Sequence, residues 1–258
     1  MLFEGSILFL AGFLGGILNS IAGGGSFITF PALMFVGIPP IIANATNTFA
    51  SCAGYLSGAY AFRKDIANDK QKLPLIVVLS FVGGSAGAWL LLQTPEQVFL
   101  QTIPWLLLFA SLLFVFGGKL NHYLKKMAHI HKHASALGVH LLSALLLLVC
   151  LYGGFFNAGL GIISLSYLAL AGYQNINVMN GIKLLISSCV AMVAIGLFII
   201  EGAIDWYSGI IVLSGSLIGG FFAAKISRSL PQVWIRNIVI VISFSITGYY
   251  FYDVYVAK

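Results

Sequence analysis

The chain has 258 residues, 60% of them hydrophobic and only 8% charged, with a mean hydropathy of +1.00. A soluble domain carries roughly 25% charged residues, so this chain cannot cover a water-facing surface and reads as a polytopic membrane protein with no room for a soluble domain. The net charge of +6 would suggest nucleic acid in a soluble protein; here it reflects basic cytoplasmic loops, and the expected surroundings are a lipid bilayer with no nucleic-acid partner.

Apolar runs recur at 6–22, 26–38, 41–62, 74–93 and 98–117, then at 136–156, 159–172, 178–200, 206–225 and 233–253. The first follows Glu4 and no basic residue, so it lacks the basic start of a cleavable signal peptide. A helical span needs about 20 residues, and 26–38 and 159–172 are short for that. Each follows a Gly/Asn-rich break, Asn19–Ser26 and Asn157–Gly161. The opening pairs 6–38 and 136–172 are therefore expected to form broken helices or hairpins with tips inside the membrane, spanning or re-entering. The predicted fold is an all-α polytopic membrane protein of two repeats, each opening with such a pair followed by three transmembrane helices. The first repeat covers 1–118, a polar linker 119–135, and the second repeat 136–258.

The repeats are visible as matched residues. Gly15-Gly16-Ile17-Leu18-Asn19 answers Gly153-Gly154-Phe155-Phe156-Asn157 at an offset of 138. Asn44 answers Asn180, Gly83-Gly84 answers Gly219-Gly220, and Pro95 answers Pro231, all at 136. Charge sets the orientation. The loop at 63–72, the linker and the loop after Phe222 hold nearly all the Lys and Arg and go inside, whereas Glu4, Glu96, Glu201 and Asp205 fall outside. The loop after 41–62 is then inside and its counterpart after 178–200 outside, which predicts repeats of inverted topology.

The candidate site lies at the breaks. Asn19, Ser20, Gly23, Gly24, Gly25 and Ser26 form the first. Non-helical backbone survives at membrane depth only when packed in protein or lining a wet cavity. Freed N–H groups at the start of the next helix favour an anion; alternatively the glycines only let helices pack closely. Asn157, Gly159 and Gly161 are the second-half counterpart, either binding ligand or capping their own broken helix. Asn44, Thr46 and Asn47 place two amides and a hydroxyl within four residues, for a substrate or a neighbouring helix. At the matching positions stand Asn180, Ile182 and Lys183, and Lys183 is the one basic residue inside an apolar span. A cation there costs about 2.5–3.5 kcal/mol on insertion scales, unless it snorkels to the inner interface. With Asn47 in one half and Lys183 in the other, a shared site would favour an anion.

All seven acidic residues lie in loops or near span ends, so a cation substrate would meet no counter-charge at mid-depth. His129, His131 and His133 share the linker with Lys132 and read as solvated side chains, and no metal site or cofactor is expected. Cys52, Cys150 and Cys189 sit in apolar runs without a CxxC spacing. No nucleotide-binding glycine motif and no nucleophilic triad is readable, so no catalytic residue is assigned and no enzyme is expected.

Gly12-Phe13-Leu14-Gly15-Gly16, Ala22-Gly23-Gly24-Gly25-Ser26, Asn44-Ala45-Thr46-Asn47 and Gly153-Gly154 with Lys183, in this order and spacing, resemble the sulfite exporter TauE/SafE family of bacterial membrane permeases. The resemblance spans nearly the whole chain. It implies movement of small sulfur-containing anions such as sulfite, sulfonate or sulfoacetate across the inner membrane, with the linker cytoplasmic. The expectation is a secondary transporter holding its anion between two hairpin tips. An anion channel and a non-transport assembly or partner protein are the alternatives. Gly-rich helix faces permit a homodimer without requiring one.

Overall fold

The computed structural model describes residues 2–21, 24–67, 71–130, 136–226 and 232–257, with side chains at 3–19, 24–67, 71–116, 140–222, 237 and 240–257. The described residues form eleven helices and no strand: α1 (Leu2–Ile21), α2 (Ser26–Phe35), α3 (Pro40–Ala61), α4 (Arg63–Ile66), α5 (Leu73–Gln93), α6 (Glu96–Ile130), α7 (Ala136–Phe155), α8 (Leu160–Leu170), α9 (Ile176–Ile200), α10 (Trp206–Ile226) and α11 (Gln232–Tyr255). Three stretches, Leu73–Gln93, Glu96–Phe116 and Ile176–Ile200, are long and apolar enough to cross a membrane. The short helices α2 and α8 fall where the sequence breaks predicted them.

Local chemistry sets the boundaries. Pro40 occupies the first turn of α3, where its missing N–H leaves nothing unpaired. Asn175 caps α9 by accepting from the N–H groups of Asn177 (2.9 Å) and Val178 (3.4 Å). The Asp205 carboxylate accepts from the Ser208 N–H at 2.8 Å and caps α10 in the same way. Helices α2 and α8 end alike. Gly37 (φ +89°) and Gly172 (φ +88°) take the left-handed conformation that closes a helix C-terminus. In both, the next residue's N–H reaches back to a carbonyl inside the helix, Ile38 to Leu33 O (3.2 Å) and Tyr173 to Leu168 O (3.0 Å).

Two features differ from the sequence reading. Helix α6 does not stop near residue 117 but continues to Ile130, through much of the segment read as linker. Residues 119–130 contain neither Gly nor Pro and are rich in Leu, Lys, Met and Ala, all good helix formers. His129 lies in that last turn with its side chain outside the described residues, and His131 and His133 lie outside them altogether. The basic loop after α3 also folds into the single turn α4.

Glycine governs the long-range packing. Along α1, Gly12 and Gly16 abut the backbone of Val212 and Ser216 on α10, while Gly215 and Gly219 abut that of Phe9 and Phe13. Numbers rise together on both helices, so they run parallel. A Cβ at any of the four would collide with a carbonyl oxygen. Helices α5 and α7 meet likewise, Gly87 on the Leu151 carbonyl and Gly154 on that of Gly84. Small residues at four-residue spacing bring membrane helices together in this way, where lipid supplies no hydrophobic drive.

The remaining packing comes in matched pairs: α5 on α9 and α10 on α3, α6 on α8 and α11 on α2. At the centre α3 and α9 lie antiparallel, since Gly58 meets Leu184 while the later Phe62 meets the earlier Gly181. Beside them Phe27, Phe30, Phe99 and Phe156 are fully buried, with Phe30 edge-on to Phe156 (5.4 Å) and Phe99 edge-on to Phe155 (5.7 Å). Trp89, Trp105, Trp206 and Tyr249 are exposed on the outside, as lipid-facing rings would be.

The glycine contacts predict a sharp split among substitutions. Gly219→Val or Gly87→Val forces a backbone-to-backbone seam apart and should abolish monodisperse protein in size-exclusion chromatography. Gly196→Ala and Gly248→Ala, where nothing lies within 4 Å of the added Cβ, should raise the melting temperature or leave it unchanged, because alanine is favoured over glycine in a helix by up to about 1 kcal/mol.

Candidate functional site

The two hairpin tips meet at one cavity of about 640 Å³. The first contributes Gly15, Gly16 and Asn19 from α1 and Gly25, Ser26 and Thr29 around the start of α2. The second contributes Asn157, Gly159 and Gly161. Helix α3 presents Ser51, Gly54, Tyr55 and Gly58, spaced as one face of a helix. Helix α9 presents Asn180, Lys183 and Ser187 opposite.

Backbone bonding explains how the breaks persist. At the second tip the Asn157 carbonyl accepts from Leu160 N–H (3.2 Å), and the Gly159 carbonyl from Ile162 (3.0 Å) and Ile163 (3.2 Å). The Tyr152 hydroxyl donates to the Ala158 carbonyl at 2.8 Å. Gly159 has φ +85° and packs against Ala110, so a side chain there would be both strained and crowded. At the first tip the Gly25 carbonyl accepts from Ile28 (3.0 Å) and Thr29 (3.2 Å). Ser26 and Gly161 stand in the first turns of α2 and α8, and among the described residues the Gly161 N–H makes no backbone bond, as the first donors of a helix do not. Both residues line the cavity, so two helix starts with their positive dipole ends open onto it.

Lys183 is the charged residue of the described lining, which contains no Asp, Glu or Arg. Its stem runs beside Gly161, with Cδ 3.5 Å from where a Cβ would stand. Its ammonium donates to Asn180 Oδ1 at 3.4 Å. Across the cavity the Tyr55 hydroxyl donates to Asn157 Oδ1 at 3.1 Å, close to Ser26 and Ser51.

Of the residues singled out in the sequence, Asn19, Gly25, Ser26, Asn157, Gly159, Asn180 and Lys183 come together here. Gly24 is buried beside the lining, its carbonyl accepting from Phe27 N–H at 3.2 Å. Gly23 and the side chain of Ser20 lie outside the described residues. Asn44, Thr46 and Asn47 stand apart from the lining, in the other half of α3. Asn44 Nδ2 donates to the Phe155 carbonyl (3.1 Å), Thr46 Oγ1 accepts from Asp205 N–H (3.0 Å), and Asn47 Oδ1 accepts from the Thr29 hydroxyl. Each ties α3 to another element. Asn47 Nδ2 is buried with no partner among the described residues.

Tyr55, Ser51 and Ser187 were not anticipated. Ser51 and Ser187 are related by the same 136-residue offset, a signal that was present in the sequence. Tyr55 lies one turn beyond Ser51 on α3 but has no polar counterpart, since Ala191 stands there. The ties of α3 predict that Thr46→Val, close in shape but lacking the acceptor, lowers stability by about 1 kcal/mol, visible as a lower melting temperature.

Comparison with known proteins agrees with this architecture. The sequence profile described as "Sulfite exporter TauE/SafE" matches residues 8–250. A protein of Haemophilus influenzae named "Probable membrane transporter protein" is 32% identical over 257 residues, covering 96% of this chain and 94% of its own length. The Escherichia coli K12 "Probable membrane transporter protein YfcA" is 30% identical over 252 residues, with 96% and 89% covered. A Sinorhizobium protein, "Probable membrane transporter protein ORF9", is 29% identical, with 93% and 90% covered. No solved structure matches significantly. The profile spans almost the entire chain, both hairpins and the cavity between them included, and the chain belongs to the sulfite exporter TauE/SafE family.

Proposed function

We propose that this chain is a secondary transporter that carries a small sulfur-containing anion, of the sulfite, sulfonate or sulfoacetate kind, across the bacterial inner membrane. The relatives are named membrane transporters, and the family profile carries the name of a sulfite exporter. The single observation that carries the anion reading is the composition of the cavity. Two helix starts, several amides and hydroxyls and the Lys183 ammonium converge on it, and among the described lining residues there is no carboxylate. An anion entering gains donors and a counter-charge, whereas a cation would meet Lys183.

The two tips belong to repeats that we read as inverted, residues 1–118 and 136–258 joined by a cytoplasmic linker. The antiparallel α3 and α9 and the paired packing support that reading. The cavity follows the half of α3 that leads to Phe62 and the basic turn Arg63-Lys64, so its mouth faces the cytoplasm by the positive-inside rule. The other half of α3, with Asn44, Thr46 and Asn47, is packed shut beside Phe155 and Phe156. One open half and one closed half favour a carrier over a continuous pore. Exchange of the two halves would uncover Asn47, the counterpart of Lys183; the Asn47 amide nitrogen has no partner among the described residues in the closed arrangement.

Purified protein should melt at a higher temperature with one or more of sulfite, thiosulfate, sulfoacetate and sulfate than with acetate. At a hundredfold excess over Kd the stabilisation is about 2.7 kcal/mol. Lys183→Ala should lose that response while melting no lower than wild type without ligand, because a cation inside a helix bundle is costly. An equal response in Lys183→Ala, or none with any anion in wild type, would contradict the proposal.

A further inference from the structure

Two side-chain carbonyl oxygens that face the cavity are occupied by donors from the protein itself. Tyr55 donates to Asn157 Oδ1 and Lys183 to Asn180 Oδ1. An amide offers one acceptor oxygen and two N–H donors, so holding the oxygen turns the nitrogen toward whatever enters. Asn157 is only 3% exposed, yet it lines the cavity, and its amide nitrogen has no protein partner among the described residues. The amide nitrogen of Asn19 points the same way, toward Gly54. What these two amides leave for a ligand is their N–H groups, beside an ammonium and serine hydroxyls that can turn to donate.

We propose that Tyr55 is a positioning residue that fixes Asn157 as a hydrogen-bond donor, so that the cavity selects anions bearing acceptors alone and rejects zwitterions with the same anionic head. The inference rests on the anion reading above. A ligand ammonium would bring three N–H donors and a positive charge to a lining that has a lysine of its own and, among the described residues, no carboxylate. Two of the amide oxygens it would need are already taken, and burying donors and charge without partners is costly. Tyr55 comes from the first half of the chain and Asn157 from the second, so one hydrogen bond both joins the halves and sets the polarity of the site.

The test compares sulfite, ethanesulfonate and taurine, the last being ethanesulfonate with an added ammonium, by ligand-induced thermal stabilisation of wild type, Tyr55→Phe and Asn157→Leu. Taurine should give no stabilisation in wild type. Tyr55→Phe keeps the ring and loses the O–H; its affinity for any anion that stabilises wild type should fall about tenfold, with the ligand-free melting temperature lowered only as far as in Thr46→Val. Asn157→Leu keeps the shape of the side chain and adds no charge but has no N–H, so it should lose most of the anion response, and it decides the matter should Tyr55→Phe not fold. Taurine acting as well as ethanesulfonate, or wild-type affinity in the substituted proteins, overturns the proposal. No response of wild type to sulfite, ethanesulfonate, thiosulfate, sulfoacetate or sulfate overturns the anion reading itself, a separable result, because it appears before any substitution is made.

Discussion

Helices in a bilayer gain nothing from leaving lipid for one another, so what holds this bundle is how closely its backbones can approach. The seams of α1 on α10 and of α5 on α7 answer that constraint. Each joins one half of the chain to the other, and each is built where glycine lets a carbonyl oxygen occupy the space of a side chain. The short helices α2 and α8 then pack against the frame these seams hold, α2 on α1, α3 and α11 and α8 on α6, α7 and α9. Because the seams cross between halves, closing them brings the two hairpin tips to one place.

The tips create a second constraint. A break in a helix at membrane depth frees backbone groups that lipid cannot satisfy. Carbonyls are answered locally, by Ile162 and Ile163 at Gly159 and by Ile28 and Thr29 at Gly25. The Gly161 N–H makes no backbone bond among the described residues, and Gly161 lines the cavity. The same irregularity that needs burial therefore supplies the anion-friendly surface, and Lys183 adds the charge. Structure and function share a cause here: the glycines that allow the break also remove the side chains that would fill the cavity.

Much of this was legible in the sequence because the duplication reports it twice. The short apolar runs after Asn19 and Asn157 predicted the hairpins, whereas the pairing of Lys183 with Asn47 in one site did not follow, since Lys183 lines the cavity and Asn47 does not. The extent of α6 was not legible, since a polar, charged stretch reads as linker until one notices that nothing in 119–130 stops a helix. The division of α3 was not legible either. Asn44, Thr46 and Asn47 match the candidate chemistry as well as Ser51 and Tyr55 do, and composition cannot tell a half that is open from one that is packed. Pairings such as Tyr55 with Asn157 join residues 102 positions apart, which only the fold brings together.

The most direct measurement is radiolabelled sulfite counterflow in proteoliposomes carrying the purified protein. A carrier that binds its anion between the tips and exposes it alternately to each side predicts saturable uptake, accelerated by unlabelled sulfite on the far side. Flux that grows linearly with concentration and ignores the far side would contradict alternating access, and no protein-dependent flux of any sulfur anion would contradict the transport account as a whole.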